Sequence, residues 1–307
     1  MQAGRSATEA AAMTAPIRSF LFVPGDSEKK LAKVADSTAD AVILDLEDAV
    51  GASRKPFARR MVSEFIQAQD GTASTPQLWV RMNPLGTEHA LADLAAVVPA
   101  APAGIMIPKI EGPTDVLRVQ HYLDVLEAAN GLVGGGVRVL PVATETPVAP
   151  FRLGDFAAAQ LDRLYGLTWG AEDLSAALGA SGNTGPDGRW TTTYQLVRSL
   201  TLMAARAAEV EAVETLYVDI RDEEGLAESS RRARAEGFSG RIAIHPAQVD
   251  TINAAFTPSA DEVEFAHRVI TAFADGAGTV ALDGKMLDLP HLKQAQRVLA
   301  LANGRIG

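Results

Sequence analysis

The chain has 307 residues, enough for one α/β barrel or two smaller domains. Hydrophobic residues make up 47% and cysteine is absent, so a large core must stabilise the fold, and thiolate metal sites and cysteine nucleophiles are excluded. A formal charge of −10 argues against nucleic acid as the main partner, although a local arginine or a metal can still hold an anionic ligand.

The first 15 residues are alanine-rich, carry Arg5 and Glu9, and lack the apolar centre of a secretory signal. They are expected to form a disordered leader (residues 1–15), with a start at Met13 equally open. No apolar run approaches the roughly 20 residues that span a bilayer, so no membrane contact is expected. The lack of cysteine fits a reducing cytoplasm.

From residue 18 short apolar runs alternate with longer amphipathic stretches. Arg18–Val23 predicts a strand closed by Pro24-Gly25, with Asp26 or Ser27 capping a helix that ends near Ser37. Strands follow at Ala41–Leu46, Leu78–Met82, Gly104–Ile107, Val137–Ala143, Arg163–Trp169, Thr215–Ile220 and Arg241–Ile244. Helices are expected at Pro56–Gln69, Pro113–Asn130, Thr193–Glu209, Glu223–Glu236 and Ser259–Ala274. Eight strand–helix repeats in this order predict a parallel sheet closed as a (β/α)₈ TIM barrel over residues 16–275, with an open doubly wound sheet as the alternative. Gly134-Gly135-Gly136 precedes a strand and lacks the strand–turn–helix setting of a phosphate loop, so it is read as a turn. Beyond Gly276 and Gly278 an apolar arm (residues 276–307) ends in an amphipathic helix from His291 to Ala302. It needs a surface to cover, on its own barrel or on a neighbouring subunit.

In such a barrel the C-terminal strand ends build the ligand face. Asp45, Glu47 and Asp48 end the second strand, Arg81 the third, Lys109 and Glu111 the fourth, Glu145 the fifth, Glu172 and Asp173 the sixth, and His245 the eighth. Glu145 and Asp173 end adjacent strands, so both reach a single ion, and two carboxylates without Cys or a His pair favour Mg²⁺ or Mn²⁺. The alternative for Glu145 is an ion pair with a barrel Arg or Lys. Gly170 and Ala171 remove side-chain bulk there, so a substrate can approach the backbone next to Glu172 and Asp173. Those two acids also suit the start of a helix. Arg81 fits an oxygen-rich ligand or a developing oxyanion, or else a salt bridge to Glu47 or Glu111. The acids around Glu47 serve as a base, a second metal shell or partners for Arg and Lys, the supporting role being favoured. Lys109 beside Glu111 is expected as a paired ammonium and not a Schiff-base nucleophile. His245 is expected to be a hydrogen-bonded wall residue.

Eight motifs in order resemble one family. They are Arg18-Ser-Phe-Leu-Phe-Val-Pro-Gly, Leu44-Asp-Leu-Glu-Asp-Ala-Val, Val80-Arg-Met-Asn, Pro108-Lys-Ile-Glu, Glu145-Thr, Gly170-Ala-Glu-Asp-Leu, Gly237-Phe-Ser-Gly and Ile244-His-Pro-Ala-Gln. The chain resembles the citrate lyase beta subunit-like branch of the HpcH/HpaI aldolase superfamily from Arg18 to the C-terminal helix. Asp283-Gly-Lys-Met-Leu-Asp288-Leu-Pro is similar to the family's closing segment, with Leu287 where Ile is usual.

The resemblance implies a Mg²⁺-dependent barrel that makes or breaks a carbon–carbon bond next to a thioester. It places metal ligands at Glu145 and Asp173, the substrate-holding arginine at Arg81 and a closing catalytic carboxylate at Asp288, with Glu47 a further catalytic candidate. Asp48 stands where the simple aldolase branch has a His base, which points to the thioester-using branch. The implied reaction splits a 3-hydroxyacyl-CoA thioester, such as malyl-, citramalyl- or citryl-CoA, into a 2-keto acid and an acyl-CoA. Backbone N–H groups near Glu172 and Asp173 would bind the keto acid's carboxylate. The alternatives are a thioesterase at the same site, a citrate lyase beta subunit that requires an acyl-carrier partner, and a non-catalytic scaffold, against which the joint retention of Arg81, Glu145, Asp173 and Asp288 argues. The resemblance also implies a homo-oligomer, trimer or hexamer, in which the arm brings Asp288 to a neighbour's active site.

Overall fold

The computed structural model describes residues 16–69, 76–276 and 278–303, so the expected leader lies outside the described residues. Contacts divide the chain into two compact units, one over residues 17–254 and one from Ala255 onward. The first unit runs β1 (Ser19–Pro24), α1 (Glu28–Leu31), β2 (Ala41–Asp45), α2 (Lys55–Gln67), β3 (Gln77–Arg81), α3 (Ala90–Val97), β4 (Gly104–Ile107) and α4 (Pro113–Ala129). It continues with β5 (Arg138–Pro141), β6 (Gly166–Thr168), α5 (Ala171–Leu178), α6 (Thr192–Ala207), β7 (Glu211–Glu214), α7 (Glu223–Glu236), β8 (Gly240–Ala243) and α8 (Val249–Ala255).

The eight strands pair in the order β5-β4-β3-β2-β1-β8-β7-β6, all parallel. Isolated parallel bridges Val139 to Leu164 and Val142 to Thr168 join the two ends, so the sheet closes as the expected (β/α)₈ barrel. Because strands in such a barrel are covered on both faces, they read as continuous apolar runs; every residue of β2 is buried. Inside, Phe20, Ile43, Trp79, Met106, Leu140, Val213 and Ile242 share one cluster, with Phe20, Trp79 and Tyr165 packed edge to face. Gly104 is required here, since a Cβ on it would lie 2.2 Å from the Trp79 ring.

The seventh strand is displaced from its expected place. Glu211–Glu214 forms it, whereas the apolar run at 215–220 is loop, with Val218 61% exposed. The acidic ends of Glu-Ala-Val-Glu hide the strand because Glu214 is buried: it accepts from Trp169 Nε1 and Arg198 Nε, each at 2.6 Å. Helix α5 begins directly after β6, where Glu172 and Asp173 suit a helix start, whereas α3 was not anticipated. The triple glycine is a turn whose Gly135 and Val137 N–H groups donate to Glu127, itself paired with buried Arg163.

The second unit holds α9 (Ala260–Ala272), the hairpin of β9 (Thr279–Leu282) and β10 (Lys285–Asp288), and α10 (Leu289–Asn303). Ser259 and Glu262 form a reciprocal cap at the start of α9. Asp283 and Gly284, both with positive φ, make the two-residue turn that joins β9 to β10. The boundary expected at 275 thus falls before α9, whose Ala266, Val269 and Phe273 pack with Leu287 and Ala295. Leu287 is spent within this core, while Met286 and Leu289 stay exposed.

Candidate active site

Strands β2 to β6 lie side by side, so their C-terminal ends form one arc. Asp45, at the end of β2, is buried and does two jobs. It accepts the backbone N–H groups of Glu47 and Ala49, which turns the loop, and it takes Arg81 Nε and Nη2 at 2.7 Å each. This fork-to-carboxylate pair fixes the guanidinium plane, and Phe22 lies 4.6 Å beneath it. Arg81 Nη1 also stands 3.0 Å from Glu47 Oε2. That contact is Coulombic only, because Oε2 makes no hydrogen bond and is fully enclosed. Burial opposes the charge on Arg81, yet its bonds to Asp45 outweigh this and hold it above its usual pKa.

Lys109 follows β4 in a left-handed conformation, φ 52°, rare for a residue with a Cβ. The twist aims its backbone N–H at Glu145 Oε2, 2.6 Å away. Its Nζ lies 2.7 Å from Glu47 Oε1, 3.3 Å from Asp48 Oδ2 and 3.4 Å from Asp173 Oδ1. The expected pairing with Glu111 is not made; Glu111 faces Arg152 at the exposed rim. Of the two salt-bridge partners expected for Arg81, Glu47 is in contact and Glu111 is not, and Asp45 makes the closer pair.

Glu145, four residues past β5, is buried. Burial, and then the nearby charge of Asp173, push its carboxyl up to about 8. Glu47 is also raised, by burial, against the pull of Arg81 and Lys109. Gly170 N–H donates to Thr144 Oγ1 at 3.1 Å, which sets the turn from β6 into α5 beside Glu145. A Cβ at 170 would stand 2.7 Å from Glu145 Cγ, so glycine makes the space that carboxylate fills. Ala171 and Asp173 open α5, with Asp173 partly exposed, while the exposed Glu172 accepts from Asn183 Nδ2 at 2.8 Å.

The structure therefore brings Glu47, Arg81, Glu145, Gly170, Ala171 and Asp173 to one arc, with Lys109 at its centre. Glu172 contributes its helix N-terminus while its side chain turns to the 183 loop. Asp288 lies in the other unit, on β10, where Oδ1 meets His291 Nδ1 at 2.5 Å. His245 behaves as expected, its Nδ1 accepting from Ala247 N–H. Sequence reasoning missed Phe22 and Thr144, and it gave Lys109 the wrong partner. No pattern announces a left-handed lysine, although its place between Pro108 and Glu145 in the ligand face was visible.

The arc offers hard oxygen donors from two neighbouring strands, a pinned arginine and a helix N-terminus. Among the described residues no group of three or more His, Asp or Glu converges closely enough to hold an ion alone, so an ion at Glu145 and Asp173 would complete its shell with water or substrate oxygens. The sequence model of the HpcH/HpaI aldolase/citrate lyase family matches residues 18–246. The chain is 31% identical to the mitochondrial citramalyl-CoA lyase of Rattus norvegicus, over 94% of its own length and 86% of that protein. It is 36% identical to (3S)-malyl-CoA thioesterase of Cereibacter sphaeroides strain KD131, over 94% and 95% of the two chains. The crystal structure of CitE from Mycobacterium tuberculosis in complex with magnesium, acetoacetate and coenzyme A matches with a TM-score of 0.76 at 34% identity, covering 95% of this chain and 99% of that one. Barrel, strand-end acids and near-complete coverage agree: the chain belongs to the HpcH/HpaI aldolase/citrate lyase family.

Proposed function

We propose that this protein is a magnesium-dependent carbon–carbon lyase that cleaves or forms a 3-hydroxyacyl-CoA thioester, with a 2-keto acid and an acyl-CoA on the other side of the reaction. The observation that carries the reading is that Glu145 and Asp173 come together from the ends of adjacent strands, Glu145 oriented by the Lys109 N–H at 2.6 Å and Asp173 lying 3.4 Å from the ammonium of the same residue. Such a pair calls for a cation, and its all-oxygen chemistry fits Mg²⁺, with Mn²⁺ as substitute. The names of its relatives, a citramalyl-CoA lyase and a malyl-CoA thioesterase, supply the substrate class, and the CitE complex with magnesium, acetoacetate and coenzyme A supports the same ligands.

Glu145 and Asp173 would hold the magnesium, which when bound would supply a Lewis acid toward the 2-oxygen of the keto acid. The N–H groups at the start of α5, at Glu172 and Asp173, receive that substrate's carboxylate beside the small Gly170 and Ala171. In cleavage the 3-hydroxyl gives up its proton, the C2–C3 bond breaks and its electron pair moves into the thioester enolate. The hydroxyl proton leaves to water at the open side of the arc, while Glu47, enclosed behind Lys109 and facing Arg81, keeps both cations in place. Arg81, held by Asp45, stabilises oxygen charge without reorganising. Asp288 returns a proton to the enolate carbon, supplied by the arm of an adjacent copy in a homo-oligomer. Condensation runs the same path backwards.

Citramalyl-, malyl- and citryl-CoA with Mg²⁺ test the reading, with keto acid and free thiol measured together. A lyase yields keto acid and acyl-CoA without thiol. Thiol release without keto acid would make it a thioesterase, and turnover only with an acyl-carrier protein would make it a complex subunit. Full activity in EDTA would remove the ion from the reaction.

A further inference from the structure

Lys109 touches both carboxylates of the ion site in different ways. Its backbone N–H holds Glu145, and its ammonium lies on Asp173 as well as on Glu47 and Asp48. Arg81 is committed to Asp45 and Glu47, so of the two cations in the arc Lys109 is the one in contact with Asp173. The side chain is 30% exposed, open to an incoming ion, whereas Glu47 behind it is enclosed. Three carboxylates around one ammonium form the setting a divalent ion would also seek, at longer spacings than an ion tolerates.

We propose that the Lys109 ammonium is the resident counter-ion of this site: it neutralises Asp173 in the ion-free protein, and a divalent ion must take Asp173 from it. This rests on the reading that Glu145 and Asp173 bind the ion. The two halves of Lys109 then act in opposite directions. The peptide N–H orients Glu145 for binding, while the side chain competes with the ion and keeps its affinity low enough for exchange. When the ion is bound, Glu47 and Asp48 retain the ammonium, so it is displaced by one partner and not expelled. A positive charge one contact from a ligand oxygen weakens ion affinity by roughly a factor of ten even after solvent screening.

The test is Mn²⁺ binding without substrate, followed by the paramagnetic signal of the free ion, in wild type, Lys109→Met, Lys109→Gln, Lys109→Arg and Glu145→Gln. Both neutral variants keep the backbone N–H, so they should bind one Mn²⁺ per chain about tenfold more tightly than wild type. Lys109→Arg should stay close to wild type. Equal or weaker binding in the folded neutral variants overturns the proposal, because a merely supporting lysine would lose affinity when removed. Failure of both neutral variants to fold in excess Mg²⁺ overturns it too, since a competing charge is dispensable. Binding in wild type that disappears in Glu145→Gln establishes the ion site separately, and its absence from wild type and Lys109→Met at millimolar Mn²⁺ refutes both readings together.

Discussion

Replacing Gly170 by alanine tests the site with a single methyl group. The backbone at 170 is extended, φ −119° and ψ 114°, which any residue adopts, so the substitution adds no backbone strain. The new Cβ would lie 2.7 Å from Glu145 Cγ and 3.0 Å from its Oε1. Carbon atoms rest at about 3.5–4.0 Å, so the Glu145 side chain must retreat by roughly 1 Å. Its freedom to do so is small, because it is buried and Oε2 is held by Lys109 N–H at 2.6 Å. Metal–ligand distances tolerate only about 0.2 Å of error. The Ala variant should therefore lose Mg²⁺ affinity by about tenfold or more, and kcat/KM by on the order of 10²-fold. Overpacking should lower stability by only about 1–3 kcal/mol, leaving a cooperative thermal transition. Calorimetric Mg²⁺ titration, steady-state kinetics and a thermal melt read the three quantities. An Ala variant that binds Mg²⁺ and turns over as wild type does would show that Glu145 need not sit where the glycine places it, and the assignment of this carboxylate as a ligand would fall.

Arg81→Lys keeps the charge but cannot reproduce the two-point contact with Asp45; kcat should drop by about 10²-fold or more with the fold intact, and a wild-type rate would make Arg81 purely structural. Glu127→Gln breaks a buried pair with Arg163, which keeps Asp124 as a second partner, and should remove about 1.5–3 kcal/mol at pH 7. Burial works against the Glu127 charge, but Arg163 and the Val137 and Gly135 N–H groups outweigh it and hold the carboxyl below its usual 4.5. That stabilisation is complete above 4.5 and is lost as pH falls through the depressed value. Urea titrations should accordingly show the two proteins converging in acid; a gap independent of pH would contradict the charge-based account. Mixing inactive Glu145→Ala and Asp288→Ala chains under verified subunit exchange should restore part of the activity, and no recovery would replace the in-trans arm with one serving its own barrel.

Much of the fold was legible because a parallel barrel writes itself as short apolar runs with turns between. β4 and α7 fall where the pattern puts them, and β2 differs by one residue. Strand β7 was illegible for a physical reason: its acidic ends look like surface, yet Glu214 is buried in a ring of Trp169, Arg198 and Arg241, and Glu211 stands 3.6 Å from Arg206. The acids at the strand ends were visible as types, but their partners were not, since pairing depends on which strands are neighbours and on the backbone twist at 109. Glu111 and Lys109 are two residues apart and yet face different partners, the lysine inward and the glutamate to Arg152. The arm's apolar residues likewise gave no sign that Leu287 packs within its own unit and Met286 does not.

The join between β5 and β6 has a mechanical consequence. β1 and β2 share five consecutive partners, whereas β5 and β6 meet through two separated bridges. This is a thin seam of the cylinder, and Glu145 and Asp173 stand on its two sides. Whatever links those carboxylates acts as a clasp, so occupancy by an ion should stiffen the wall as well as equip it for chemistry. Amide exchange at Tyr165 and Ala143, whose N–H groups cross the seam to Val139 and Thr168, should slow when Mg²⁺ is added, while β1 and β2 exchange unchanged.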